Sequence, residues 1–198
     1  MAANFQRLST TNSVRQAQKH YYGDSDPAGD ATAPDALTPE EVEFIGARDS
    51  FYMATINSEG WPYIQHRGGR PGFLRVLDSH QLAFADYRGN RQMLSTGNLA
   101  DNDRVALFLM DYPQRTRLKI LGHARVEDAR QNPELVQRLA EPEAHRLVER
   151  LFFIKVVAFD WNCPKYITPR YTAEDIQKLV APLKQRIAEL EGKKKNGS

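Results

Sequence analysis

The chain has 198 residues, 41% of them hydrophobic and 26% charged, with a net charge of +2. These values fit one soluble globular domain plus tails, and so small a charge gives no argument for a nucleic-acid or membrane partner. The one cysteine, Cys163, excludes an internal disulfide and fits a reducing compartment. No apolar run nears the ~18–20 residues of a membrane span, and the first residues lack a signal-peptide core, so a cytoplasmic protein is expected.

Residues 1–36 read as a loosely ordered N-terminal extension. The stretch D-S-D-P-A-G-D-A-T-A-P-D (24–35) is rich in breakers and poor in large apolar residues. Val14 to Tyr22 before it suits a short helix with Tyr21 and Tyr22 packed down. A helix then starts cleanly, with Thr38 as N-cap, Pro39 in the first helical position and Glu41 completing a capping box. Val42, Phe44 and Ile45 form its apolar side, and it ends near Arg48.

The hydrophobic period then changes to that of strands. Ser50–Asn57 is a strand turned by S-E-G (58–60), and Pro62–Arg67 is the second. Phe73–Leu77 is the third, D-S-H (78–80) is a hairpin loop, and Gln81–Asp86 is the fourth. Met93–Ala100 reads as a helix or an irregular segment. Arg104–Met110 is a continuous apolar strand, and Arg117–Glu127 is a longer one whose Gly122 marks a bulge. Asn132–Arg150 reads as a helix interrupted at Pro142. Leu151–Asp160 is the last strand, and Thr172–Gly192 is a long closing helix before a lysine tail. Six or seven closely spaced strands with few intervening helices argue for a barrel, and no strand-to-helix G-x-G-x-x-G points to a dinucleotide fold.

The most informative stretch is Gln65–Gln92, where arginines 67, 70, 75, 88 and 91 stand among glycine turns. Cations and exposed backbone N–H groups on a rigid sheet suit a phosphate-bearing ligand. The plainer reading is a solvated strand pair whose glycines only shape turns. The five histidines, at 20, 66, 80, 123 and 145, have no zinc spacing, and no metal site is expected. No catalytic triad or carboxylate pair stands out, so no catalytic residue is assigned.

Three motifs carry a family resemblance: Q-H-R-G-G-R-P-G-F-L-R-V-L-D (65–78), A-D-Y-R-G-N-R-Q (85–92) and D-W-N-C-P-K-Y-I-T-P-R (160–170). With the element order, they make roughly residues 38–170 resemble the pyridoxamine 5′-phosphate oxidase-like flavoproteins, of the oxidase-related kind. The resemblance implies a mainly β fold, the Greek-key-like FMN-binding split β-barrel, over residues 37–171. Flanking helices and a C-terminal helix with a basic tail (172–198) complete the chain. It also implies an FMN-dependent oxidoreductase acting as a homodimer, with FMN at the interface.

Position by position, the resemblance places R-P-G-F-L-R (Arg70, Pro71, Gly72, Phe73, Leu74, Arg75) on the oxidases' cofactor-holding third strand. His66, Arg67 and Asp86 flank it within the same motifs. Gly89, Asn90, Arg91 and Gln92 match the oxidases' G-S-R-K run, which implies phosphate and ribityl binding. Arg117 falls where the oxidases carry a glutamine near the isoalloxazine; a cation there offsets the charge of reduced flavin. Trp161, Asn162 and Lys165 would line the pocket across a dimer interface, although Trp161 equally suits core filling. The oxidases' closing R-L-x-P segment is absent, so a pyridoxine phosphate substrate is not expected. A non-catalytic flavin, deazaflavin or haem binder on the same barrel is the alternative, with His123 or His145 as the axial ligand for haem.

Overall fold

The computed structural model describes residues 3–23, 33–161 and 164–195. Helices α1 (Ala3–Ser9) and α2 (Asn12–Tyr22) come first, then α3 (Pro39–Gly46). The strands are β1 (Ser50–Ile56), β2 (Pro62–Gly68), β3 (Arg75–Asp78) and β4 (Gln81–Tyr87). After helix α4 (Leu94–Asp101) come β5 (Arg104–Asp111), β6 (Thr116–Asp128), helix α5 (Pro133–Leu139) and β7 (Val148–Trp161), and α6 (Ala173–Lys195) closes the chain.

The strands form one seven-stranded sheet in the order β2-β1-β5-β6-β7-β4-β3. The pairings of β1 with β2 and β5, of β4 with β3 and β7, and of β6 with β7 are antiparallel. The fold is mainly β and of the split-barrel kind, with β2 and β3 left as edges, so the sheet is not closed. β1 alternates as its sequence predicts: Phe51, Met53 and Thr55 point into the core. Phe51 and Met53 meet Phe84, Leu107, Ile120, Phe152 and Ile154 in the main cluster. β4 is buried on both faces, from Leu82 to Asp86. Its Ala83 and Ala85 face a second cluster with Val136, Leu139, Leu151 and Phe153. Two buried faces explain why β4 reads as a continuous apolar run.

The expected capping box is present. Glu41 Oε2 accepts from the Thr38 backbone N–H at 2.8 Å and from the Thr38 hydroxyl at 2.6 Å. The expected bulge at Gly122 is also present: the β6–β7 register shifts between Leu121 and Gly122. A Cβ at Gly122 would sit 2.6 Å from the Lys155 carbonyl oxygen, so only glycine lets β7 approach there.

Four expectations need correction. The third strand begins at Arg75 rather than Phe73, because the preceding residues turn inward. Gly72 has φ +81°, its N–H donates to the Arg48 carbonyl, and Phe73 and Leu74 drop into the core before pairing begins. The helix expected over 132–150 is only α5; a 3₁₀ segment at Pro142–Leu147 follows, and β7 already pairs with β4 at Val148. Pro142 stops the helix by lacking an N–H, and Val148, Leu151 and Phe153 then bury against α5. The N-terminal extension contains a docked helix. Asn4 of α1 is buried and donates to the Val157 carbonyl of β7 at 2.7 Å, and Phe5 is buried beneath the Lys119 ammonium. Tyr21 and Tyr22, by contrast, lie exposed on α2, which buries no residue.

Residues 111–116 and the segment from Pro164 onward form a separate compact unit. Within it the Arg170 guanidinium lies 5.0 Å from the centre of the Tyr112 ring. Thr172 and Asp175 cap the start of α6 reciprocally.

Candidate cofactor site

The site is built on Asp86, the last buried residue of β4. β2 brings Arg67 to one of its carboxylate oxygens. β7 brings Arg150 to the other, with Nε and Nη2 both at 2.8 Å. Asp86 and Arg150 stand opposite each other in the β4–β7 register. The Arg67 guanidinium lies over Phe84 and Phe152, 5.5 and 5.0 Å from the ring centres. Burial pulls its guanidinium below its ordinary pKa, and Asp86 opposes that pull.

Two guanidiniums on one carboxylate leave an excess positive charge. Glu149 accepts from Arg150 at 3.0 Å but also faces Arg88 at 3.9 Å, so three guanidiniums share two carboxylates. Arg67 Nε is also buried with no hydrogen-bond partner among the described residues. An orphaned buried donor beside excess charge favours an anion.

The loop after β4 adds donors. Arg91 and Met93 both have positive φ, 62° and 57°, a conformation that costs non-glycine residues. Asn90 shapes the loop by accepting from the Gln92 N–H at 3.1 Å. Met93 opens α4 with no side-chain cap, so the first N–H groups of that helix have no side-chain acceptor from it. Ser95, the second residue of α4, donates to Gln65 of β2 at 2.9 Å.

These groups line a polar cleft of about 170 Å³, bounded by Gln65, Arg67, Asp86, Arg91, Ser95 and Arg150. It adjoins a groove of about 1000 Å³ that shares Met93, Thr96 and Arg150 with it and is floored by Leu99, Val126 and Val148. Tyr87 also borders the cleft, and burial, helped by the charge of Glu141, pushes its hydroxyl up.

The residues singled out in the sequence therefore divide. Arg67, Asp86, Gly89, Asn90, Arg91 and Gln92 come together. Arg70 and Arg75 line a separate cleft of about 230 Å³, where Arg70 faces Glu141 and Glu143 at 3.8 and 3.4 Å. Pro71 is exposed, Gly72, Phe73 and Leu74 serve the turn and core, and His66 lies edge-on to Tyr52 on the surface. Arg117, half-buried, sits over Phe108, and its Nε has no hydrogen-bond partner among the described residues. Trp161 packs against Phe44 and donates to Glu41. Asn162 lies outside the described residues. Of the two histidines considered for haem, His123 faces Asp103 at 2.9 Å and His145 the Ala140 carbonyl at 3.1 Å. Among the described residues no group of acidic, histidine or cysteine side chains could hold a metal, and no helix is long and apolar enough to cross a membrane.

Sequence reasoning missed Gln65, Ser95 and Arg150. Gln65 had a signal, since it opens the arginine–glycine run. Arg150 had none, because it enters the site by strand pairing across 64 residues.

A family model described as pyridoxamine 5′-phosphate oxidase matches residues 37–155. Among solved structures, a pyridoxamine 5′-phosphate oxidase-type protein from Lactobacillus delbrueckii is similar with a TM-score of 0.50 and 20% identity, covering 65% of this chain and 99% of its own. A HupZ variant from Group A Streptococcus also gives 0.50, at 15% identity, over 64% of this chain and 99% of its own. These likenesses show the fold. No curated protein matches the sequence significantly.

Proposed function

We infer that this chain, which belongs to the pyridoxamine 5′-phosphate oxidase family, holds FMN and works with it as an oxidoreductase. The observation that carries this reading is the sharing of Asp86 by Arg67 and Arg150 beside the uncapped start of α4. A phosphate supplies the charge and the acceptor oxygens that this cleft lacks. Arg91 and Gln92 would hold the phosphate together with the first N–H groups of α4. Arg67 and Arg150 would supply the field behind it.

Bound flavin supplies the two-electron chemistry. The chain's part is to bind, orient and polarise. Arg117, with its orphaned Nε, lines neither the cleft nor the groove of its own chain; it is the cation we assign to the pyrimidine edge of the flavin held by the second subunit. The groove beside the cleft, about 1000 Å³, is large enough for a tricyclic ring system. We take the working form to be a cytoplasmic homodimer with the flavin between its subunits.

The test is an absorption spectrum of the purified protein before and after FMN is added and the excess removed by gel filtration. Flavin bands that co-elute near one per chain support the reading. FMN at about 100 times its dissociation constant should then add about 2.7 kcal/mol of stability. A colourless protein that refuses FMN but takes up haem or a deazaflavin overturns FMN as the cofactor. A protein that takes up none of the three overturns the flavoprotein reading.

A further inference from the structure

We propose that the Arg70 cleft binds a free α-amino acid with an apolar side chain. The run G-G-R-P-G-F-L-R (68–75) stands out in the sequence, yet no residue of it lines the phosphate cleft. Backbone hydrogen bonds fix its turn instead. The Gly69 and Gly72 N–H groups donate to the Asp49 and Arg48 carbonyls at 2.8 and 3.1 Å, and the Phe73 N–H donates to the Arg70 carbonyl at 3.0 Å. This turn brings Arg70, Phe73 and Arg75 to the second cleft, of about 230 Å³. Every residue that lines it belongs to one compact unit.

The lining is apolar and anchored in the core. Phe73 stacks on the buried Phe51 ring at 5.6 Å, and Leu139 is buried at the end of α5. Ala144 and Tyr87 complete it. A Cβ at Gly69 would stand 2.7 Å from the Phe73 ring, so glycine there lets the ring lie against the backbone. The volume falls below the ~300 Å³ at which sites for drug-sized ligands begin, which selects a ligand the size of a single amino acid.

The charges select its chemistry. Arg70 and Arg75 share the cleft with Glu141 and Glu143. A simple anion would gain the guanidiniums but meet the carboxylates, and a simple amine the reverse. A ligand that carries both a carboxylate and an ammonium satisfies both pairs. The groups are available to it. The Arg70 contacts with Glu143 and Glu141, at 3.4 and 3.8 Å, join exposed side chains and cost little to open. The exposed Arg75 guanidinium has no ion pair or hydrogen bond among the described residues. Arg75 therefore takes the carboxylate, Glu141 and Glu143 take the ammonium, and the apolar side chain lies against Phe73 and Leu139. The site does not depend on flavin.

Isothermal titration of the full chain with L-leucine and L-phenylalanine tests the proposal, with melting curves as a second readout. At least one of the two should bind saturably and raise the melting temperature. For L-leucine the matched controls are isoamylamine, which lacks the carboxylate, and 4-methylpentanoate, which lacks the amine. Each should bind weaker by about tenfold or more, the loss of a charge-assisted hydrogen bond, and Arg75→Gln and Glu141→Gln should weaken the amino acid on the same scale. Ala144→Phe, which fills the cleft, should abolish binding, and circular dichroism confirms that each variant is folded. Either control binding as tightly as L-leucine, or inorganic phosphate stabilising the protein through Arg75, would overturn the amino-acid assignment. Unchanged affinity in folded Ala144→Phe would move the ligand elsewhere and overturn the site, as would the absence of binding by both amino acids. FMN uptake is measured separately, so its loss with amino-acid binding intact would count against the cofactor reading alone.

Discussion

The indole N–H of Trp161, at the end of β7, donates to the Glu41 carboxylate on α3 at 2.6 Å. The other oxygen of that carboxylate closes the Thr38 capping box. One buried side chain thus caps a helix and ties it to the last strand. Burial alone would raise the Glu41 carboxyl, but the hydrogen bonds from Thr38 and Trp161 outweigh it and hold the pKa below the usual glutamate value.

A depressed folded pKa fixes the sign of the pH effect. The Glu41 contribution is complete above the unfolded carboxyl's ~4.3 and is lost as pH falls through the lower folded value. Glu41→Gln should cost about 1.5–3 kcal/mol at neutral pH and flatten the fall in melting temperature below that range. Urea denaturation at several pH values checks both effects. An unchanged acid slope would show that other carboxylates carry it.

Asp86→Ala removes the carboxylate that Arg67 and Arg150 share. Two guanidiniums then face each other partly buried, and the loss should be about 3–5 kcal/mol. Chemical denaturation measures it. Added phosphate should restore part of the loss, because it supplies the missing negative charge. Equal stability with and without phosphate would argue against an anion site in this cleft.

Arg91→Ala should weaken FMN binding by about 1.5–3 kcal/mol, the scale of a charge-assisted hydrogen bond. Fluorescence titration reads the change. Arg70 provides the contrast: it faces Glu141 and Glu143 in a different cleft, so Arg70→Ala should alter the affinity far less. The reverse ranking would move the phosphate to the Arg70 cleft.

Gly122→Ala should destabilise the protein by about 1–3 kcal/mol, the range for overpacking. The obstacle is the Lys155 backbone, which cannot rotate away as a side chain would. A urea midpoint equal to that of the parent would mean that the bulge widens at no cost.

Much of the fold was legible because its signals are local. The capping box at Thr38, the hairpin around 58–60 and the bulge at Gly122 each follow from residues a few places apart. The start of β7 was read three residues late because Pro142–Leu147 has helix-like spacing, and only pairing with Tyr87 identifies Val148 as strand. α1 escaped notice for a related reason. Its anchor, the Asn4 bond to Val157, spans 153 residues. The site divides in the same way. The Gly89–Gln92 loop announces itself by composition, whereas Arg150 looks like any charge at a strand start until β4 is laid beside it. Trp161, read as a pocket residue or as core, is held within this chain by Glu41 and Phe44.

Asp86 is not on a loop; it lies in β4, with buried neighbours from Leu82 onward. Its two arginines come from β7, the neighbour of β4, and from β2, at the far edge of the sheet order. The charge imbalance is therefore built into the part of the protein that must come apart for it to unfold. An anion that settles there tightens the same strands whose separation exposes the chain to proteases. Empty copies would then be cleared first, and the supply of ligand, more than the rate of synthesis, would set how many molecules persist.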